Sequence, residues 1–329
     1  MVYIKSFDKD IFPLYISPNK NELFSSWINR LSINHQVKTQ TFLKNFFPKS
    51  SSYFTRDIDI LAPNNLIEVI NKHTPLSISQ INSLFLKSLE GYAFENISTK
   101  TTTINVLPIG IVNRSKFKYG LQACVKCLNE HNYYQKQWRL STSILCMDCK
   151  LYLIDRCPGC NHPLHFFKIN KGGNRLYPTN GFKSFNICYN CFFDYNLIDL
   201  KHLVVSKKSD LQYQKYINST IDMGYNEFTS YSFLFIKVFL IIANRLRSNS
   251  HKGIFKQFIK NTYRFDLEII NQNISFWDVQ TRIDTFPLIF KILKDQKFLD
   301  LLNHYKIAKS YIYHEKSGIP YWFEKNLIY

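Results

Sequence analysis

The chain has 329 residues, 45% of them hydrophobic, and carries 42 lysines and arginines against 24 acidic residues, a formal net charge of +18. That apolar content excludes a disordered chain, the length allows two or three small domains, and the basic excess favours a polyanionic partner, nucleic acid first. Residues 1–16 hold Lys5, Asp8, Lys9 and Asp10 and no apolar run of the secretory kind, and the most apolar stretch, 233–243, is too short for a bilayer and contains Lys237. A cytoplasmic, nucleoid-associated protein with no membrane segment is expected.

Taken from the N-terminus, Asn19-x-x-Glu22 has the form of a capping box. Leu23, Phe24, Trp27, Ile28 and Leu31 follow at helical spacing. A second apolar group, Phe42, Leu43, Phe46 and Phe47, ends at Pro48. Asn65-x-x-Glu68 opens a short helix carrying Leu66, Val69 and Ile70. Ser77-x-x-Gln80 opens another, predicted from Ile78 to Leu89, with Ile81, Leu84 and Phe85 on its apolar face. The short link at Thr74, Pro75 and Leu76 makes the pair a helix-turn-helix outline. As a DNA reader its second helix would present Ser79, Gln80, Asn82, Ser83 and Lys87; as an ordinary helical hairpin it would only leave them solvated. One lysine and no arginine make a poor phosphate anchor.

All eight cysteines then fall into Cys-x-x-Cys knuckles: Cys124/Cys127, Cys146/Cys149, Cys157/Cys160 and Cys188/Cys191. The first two pairs read C-x2-C-x18-C-x2-C, and the last two repeat the plan with a loop of 27 residues. A two-residue gap lets two thiolates share one tetrahedral ion, so a tandem zinc ribbon with two structural Zn2+ ions is expected. Disulfides would need an oxidising compartment, and redox dithiols suit one such motif near a βαβ unit, not four in a row. Sequential pairing closes the shorter loops, while a cross-braced arrangement of first with third and second with fourth stays open.

Around these knuckles lie basic residues. Residues 91–205 hold 14 lysines and arginines against 6 acidic residues. The second finger loop carries Lys168, Lys171, Arg175 and Lys183 beside Gly172-Gly173, which would suit a phosphate backbone, or would be a solvated loop. Arg114, Lys116 and Lys118 lead into the first knuckle and raise the same question. Trp138, midway through the first finger, reads as the packing residue of a small zinc module.

The C-terminal third is predicted to be helical, with apolar groups at 233–246, 255–259, 286–293 and 298–302. The 233–243 group is apolar nearly all round and reads as a buried core helix. Arg245, Arg247, His251, Lys252 and Lys256 follow it as a basic run, either a DNA- or effector-facing edge or the charged end of a helix. The fold class is thus mainly α with a central double zinc ribbon: an N-terminal helix-turn-helix-like helical domain over 1–95, tandem four-cysteine fingers over 96–200 and a helical domain over 201–329.

Catalysis finds little support. A four-cysteine zinc site is closed to a reactive water, and no Walker loop, G-x-S-x-G or H-E-x-x-H occurs. No catalytic residue is assigned. One enzyme alternative is an HNH-type nuclease, since His162, His165, Asn170, Asn174 and Asn180 lie between knuckles, though the paired-strand pattern around a catalytic histidine is missing. A zinc-containing DNA-binding transcription regulator is the other alternative.

Three segments together resemble a known family. Pro18-Asn-Lys-Asn-Glu22-Leu-Phe-Ser-Ser-Trp27-Ile-Asn-Arg30-Leu31 is similar to the P-x-x-x-E-S-L-x-S-W-L-x-R-L opening of TniQ proteins, and Asp57-Ile-Asp59 fits their pattern. Tyr119-Gly with Cys124-x-x-Cys127-Leu, Trp138-Arg139-Leu140, Cys146-x-x-Cys149 and Leu153-x-x-x-Cys157-Pro-Gly-Cys160 resembles their ribbon in order and spacing. The likeness covers about residues 15–195. Cys149 stands where the family often has His, Val125 where a knuckle Pro is usual, and Asn161 where Gly is common; Asn tolerates the left-handed backbone of such turns. The resemblance implies a non-catalytic target-site selector, of the TnsD type, for transposons of the Tn-seven group. Such proteins bind an attachment site on DNA or dock on an RNA-guided CRISPR effector complex, and hand the target to an AAA+ ATPase. The aromatic segment around Tyr15 and Trp27 is a candidate ATPase face, while Trp27 itself reads more readily as a core residue. Whether the chain acts as a monomer or a homodimer stays open.

Overall fold

In the computed structural model, which describes residues 10–46, 56–109, 119–165, 184–249, 253–270, 272–313 and 318–328, the first element is helix α1 (Phe24–Asn34). Phe24, Trp27, Ile28 and Leu31 recur every three or four residues and are all fully buried, one apolar stripe facing the core. No side chain at Leu23 caps the helix. Its first N–H groups are satisfied from a distance: Leu23 donates to the Tyr134 carbonyl at 2.9 Å, Phe24 to the Leu84 carbonyl at 3.0 Å and Ser25 to the Asp59 carboxylate at 2.8 Å. The expected cap at Asn19 is thereby corrected. Glu22 does accept the Asn19 N–H at 2.8 Å, but the helix begins only at Phe24. The buried Glu22 carboxylate accepts chiefly from Ser26 at 2.9 Å and from Arg30 at 2.7 and 2.8 Å.

Helix α2 (Thr39–Phe46) adds Phe42 and Leu43 to the same core; Phe47 and Pro48 lie outside the described residues. The single turn α3 (Ile58–Leu61) is followed by α4 (Asn64–His73), which starts after Pro63. Ser77 and Gln80 form the capping box read from the sequence and open α5 (Ile78–Asn82), which packs on α4. The second helix is shorter than its predicted span to Leu89. Phe85 turns extended (φ −87°, ψ 155°), and Leu86–Leu89 is a separate 3-10 turn. The break hands the Leu84 carbonyl to α1 and stacks the Phe85 ring on Phe24 at 4.5 Å. Lys136 Nζ bonds the Ser83 carbonyl and reaches the Ser88 hydroxyl at 2.9 Å. Tertiary contacts here override a continuous helical pattern.

Among its described residues the central segment holds α6 (Val125–His131), short 3-10 turns such as Lys136–Arg139, and one antiparallel hairpin, β1 (Leu145–Cys146) with β2 (Leu151–Tyr152), in register Leu145↔Tyr152 and Cys146↔Leu151. Its core is built from cysteines and aromatics, including fully buried Trp138 and Tyr134, whose rings meet edge-on at 6.2 Å. Trp138 is the packing residue its position suggested.

The C-terminal helices are α7 (Lys208–Met223), α8 (Ser232–Leu246), α9 (Ile254–Tyr263), α10 (Val279–Lys294), α11 (Phe298–His304), α12 (Lys309–Ile312) and α13 (Tyr321–Glu324). Helix α8 is their centre: Phe235, Ile236, Val238, Phe239, Leu240 and Ile242 are all buried, and α7 and α10 pack against it. No described helix is long and apolar enough to cross a membrane. The basic run after α8 does not form one exposed edge. Arg245 and Arg247 turn inward, donating to the Ile312 carbonyl at 3.0 Å and the Thr285 hydroxyl at 2.9 Å, while Lys256 pairs with Asp266 at 3.4 Å. His251 and Lys252 lie outside the described residues.

Buried polar contacts fasten the C-terminal helices to the central segment. Fully buried Arg282 of α10 donates to the Ser141 carbonyl at 3.0 Å and to Gln122 Oε1 at 3.1 Å. Burial pulls its pKa down to about 10, against the attraction of Asp155 and Asp278. Gln214 of α7 accepts the Ile144 N–H at 2.8 Å, and Asp155 accepts the Val279 N–H at 2.8 Å.

Candidate metal centres

Each knuckle closes on the same bond. The residue four positions after the first cysteine donates its N–H back to that cysteine's carbonyl: Leu128 to Cys124 at 2.9 Å, Lys150 to Cys146 at 2.8 Å, Asn161 to Cys157 at 2.8 Å and Phe192 to Cys188 at 3.1 Å. The first knuckle continues into α6, with Cys124 at its N-terminus. The other three end in left-handed backbone, at Lys150 (φ 54°), Asn161 (φ 59°) and Phe192 (φ 64°). Asn161 thus supplies the conformation that glycine would give there. Reciprocal bonds of 2.9 Å between Ala123 and Ile154 lay the first knuckle beside the β1–β2 hairpin that carries the second.

These turns gather the sulfurs into two sets, Cys124/Cys127/Cys146/Cys149 and Cys157/Cys160/Cys188/Cys191, each with its four ligand atoms within 4.8 Å of one another. The arrangement is sequential, first pair with second and third with fourth. Cys127 Sγ lies 3.7 Å from Cys146 Sγ and 3.4 Å from Cys149 Sγ; Cys157–Cys191 and Cys160–Cys188 are both 3.6 Å apart. A tetrahedral ion with Zn–S bonds of about 2.3 Å holds its sulfurs about 3.8 Å apart, whereas a disulfide draws two sulfurs to about 2.0 Å. Both sets can hold a metal ion, and four soft sulfurs at this spacing suit zinc. Hydrogen bonds from the Cys124 and Cys127 thiols pull Cys146 down to about 2, while Cys127 is pushed far up by its contacts with Cys124 and Cys146 and by burial. Thiols crowded this closely ionise together only when a cation shares their charge.

The two sets differ in cover. Three cysteines of the first are buried and Cys149 is half-buried; in the second, Cys160 is half-buried and Cys191 exposed.

The family model described as TniQ matches residues 13–153. The match spans 141 of the chain's 329 residues. No curated protein matches the chain. The TniQ stretch holds the whole first cysteine set and none of the second. It is a family of transposon-associated proteins.

Within the TniQ stretch, Arg139 joins the ribbon to the N-terminal helices. It is fully buried and bonds the Asp57 carboxylate, Asp59 at 3.3 Å and the Leu107 carbonyl at 2.9 Å. Asp59 in turn accepts from the Ser25 hydroxyl at 2.6 Å and the Ser25 N–H at 2.8 Å, so it caps α1. Burial pushes Asp59 up to about 6; Asp57 adds to this, while Arg139 and Ser25 oppose it. The sequence showed Asp57, Asp59 and Arg139 as separate motif residues; no local signal ties charges some 80 positions apart.

Of the residues read as nucleic-acid contacts, Ser79, Gln80 and Asn82 are exposed, with Gln80 engaged in the cap of α5. Lys168, Lys171, Arg175 and Lys183 lie outside the described residues, as do Arg114, Lys116 and Lys118 and the candidate nuclease residues Asn170, Asn174 and Asn180. His162 faces Cys160 and Asn190 beside the second set. Trp27 is fully buried, its indole N–H donating to the Ile16 carbonyl at 2.9 Å, so it is the core residue its spacing suggested and offers no face to an ATPase.

Proposed function

We propose that this TniQ-family chain is a non-catalytic target-site selector for a Tn-seven-like transposon. On this reading it engages target DNA, or an RNA-guided CRISPR effector complex, and recruits an AAA+ transposition regulator. The observation that carries the reading is the coincidence of the TniQ match with one fastened unit, in which Arg139 ties the first four-cysteine set to the N-terminal helices. Both sets hold structural Zn2+ on this reading, and a tetrahedral site filled by four thiolates leaves no position for a reactive water. The proposed domains are helical (1–95), ribbon (96–200) and helical (201–329), and they share buried residues across their boundaries: Leu23, Leu86 and Val279 pack in the ribbon's cluster, and Ile144 and Leu145 in that of the C-terminal helices. The proposed DNA contacts are Lys168, Lys171, Arg175 and Lys183, with Ser79, Gln80 and Asn82.

A reconstituted transposition assay tests this. Omitting the chain should abolish targeted insertion while ATPase and transposase chemistry persist. Charge reversal at Lys168, Lys171 and Arg175 should weaken DNA association and flatten its salt dependence, because fewer counterions are released. Equally targeted insertion without the chain, or DNA cleavage by the purified chain alone, contradicts the reading.

A further inference from the structure

A recess of about 970 Å³ lies between α9 and the corner that joins α11 to α12. Lys256 and Lys260, and beside them Gln257 and Asn261, are four residues apart, so they form two adjacent rows on one face of α9, and all four line the recess. Tyr305 faces them from the corner and is 59% exposed. Its ring meets Phe258 at 5.7 Å and His304 at 5.0 Å, inclined to them by 58° and 89°. These neighbours brace the ring without stacking on its face, so binding need not first order it.

The charge here favours an anion. Helix α9, the segment 264–270 after it and the corner 303–309 carry Lys256, Lys260, Arg264, Lys306 and Lys309 against Asp266 and Glu268. The residues next to these segments, Gly253, Asn271, Leu302 and Ser310, are uncharged, and the nearest charges beyond them, Lys252 and Asp300, cancel. Asp266 holds both lysines of the recess, Lys256 at 3.4 Å and Lys260 at 2.6 Å. Its side chain is 55% exposed, and an exposed ion pair contributes little and weakens with salt, so a phosphate can take its place. A strand that brings phosphates also releases its condensed counterions. The amides of Gln257 and Asn261 offer donors and acceptors to base edges, and an aromatic ring with an open face stacks a base. Lysines, amides and such a ring together suit a strand whose bases are unstacked; a duplex keeps its base faces covered.

We propose that α9 and the 303–309 corner form a binding face for single-stranded nucleic acid, in which Tyr305 stacks an unpaired base while Lys256 and Lys260 hold the adjoining phosphates in place of Asp266. The face shares no residue with the DNA contacts proposed above, and it rests on geometry and charge that do not require the selector reading.

The test uses the full zinc-loaded chain and fluorescence anisotropy across a salt series. The labelled probes are short oligothymidylate and oligouridylate strands, a DNA duplex and an oligoglutamate peptide. Tyr305→Ser should weaken strand binding about tenfold, the loss of one stacked base, while leaving its salt dependence and the duplex affinity unchanged. Lys256→Ala with Lys260→Ala should flatten the salt slope by about 1.4, two phosphate contacts on a single strand. Asp266→Asn should tighten strand binding by freeing both lysines. Circular dichroism and zinc content should be unaltered, since Tyr305, Lys260 and Asp266 are exposed and Lys256 is half-buried. Whichever strand binds tighter, thymidylate or uridylate, names the nucleic acid that fills the face, and either result supports the proposal. Binding of neither strand overturns it, as does strand binding that Tyr305→Ser leaves unaltered or duplex binding that it weakens equally. Oligoglutamate bound as tightly as the strands and lost in the lysine variant gives the face to an acidic protein and overturns it too. Thymidine monophosphate that competes as well as the whole strand does the same in favour of a free nucleotide. A selector reading that fails in the transposition assay leaves these strand results unaffected, so the two failures are distinguishable.

Discussion

Cys127→Ser should cost the protein its central segment, not merely one ligand. Structural zinc contributes on the order of 10–16 kcal/mol in small modules, comparable to or above the roughly 5–15 kcal/mol by which whole domains are stable. Cys127 is buried in the same cluster as Trp138, Tyr134 and Leu23, the last on the shoulder of α1. Emptying the first centre should therefore release the ribbon and loosen α1, whose N-terminus depends on the Tyr134 carbonyl. Thermal denaturation should show an early transition, with protease cleavage near 124–150. Cys191→Ser, at the exposed rim of the second set, should lose one zinc while the first set stays filled. Equal thermal stability of Cys127→Ser and the parent chain would contradict a structural role for the first centre.

Arg139→Ala should be the most damaging change that leaves every cysteine in place. It strands Asp57 and buried Asp59 side by side, and breaking a buried charge pair costs about 3–5 kcal/mol. The loss should depend on pH with a defined sign. Asp59 has a folded pKa raised to about 6 from an ordinary 3.8, so its contribution is fully present below 3.8 and is lost as pH rises through about 6. Removing the arginine, which opposes that rise, should steepen the slope. Chemical denaturation of the variant should show a penalty that shrinks between pH 7 and pH 5; a penalty constant across that range would show that Asp59 does not titrate there. Arg139→Lys should recover only part of the loss, because a single ammonium cannot bridge two carboxylates and the Leu107 carbonyl as a guanidinium does.

The cysteine sets were legible because their information is local. A two-residue gap fixes the turn, and loop lengths favour sequential pairing, which is how the sulfurs gather. Asn161 could be assigned its left-handed turn for the same reason. The capping box of Ser77 and Gln80 was equally local, but the end of that helix was not. Nothing near residue 84 announces that its carbonyl will receive the Phe24 N–H, and without that contact the apolar spacing to Leu89 reads as one helix. Glu22 shows the converse: the glutamate lies where a cap residue should, but Arg30 and Ser26 within α1 are its chief partners. Arg245 and Arg247 read either as a surface edge or as the charged end of a helix, and they do close α8; their burial follows from carbonyl and hydroxyl acceptors brought in by distant segments. The recess at Tyr305 was invisible for a related reason, since Tyr305 and the α9 lysines lie far apart in sequence and become neighbours only through tertiary packing.

The central claim, two closed four-cysteine zinc centres, is tested most directly by counting metal in the folded chain. Native mass spectrometry of the purified full-length protein, with elemental analysis of the same sample, should give two Zn2+ per chain, falling to one in Cys191→Ser. A fully folded chain carrying one zinc or none, or two zincs retained in Cys191→Ser, would contradict the account.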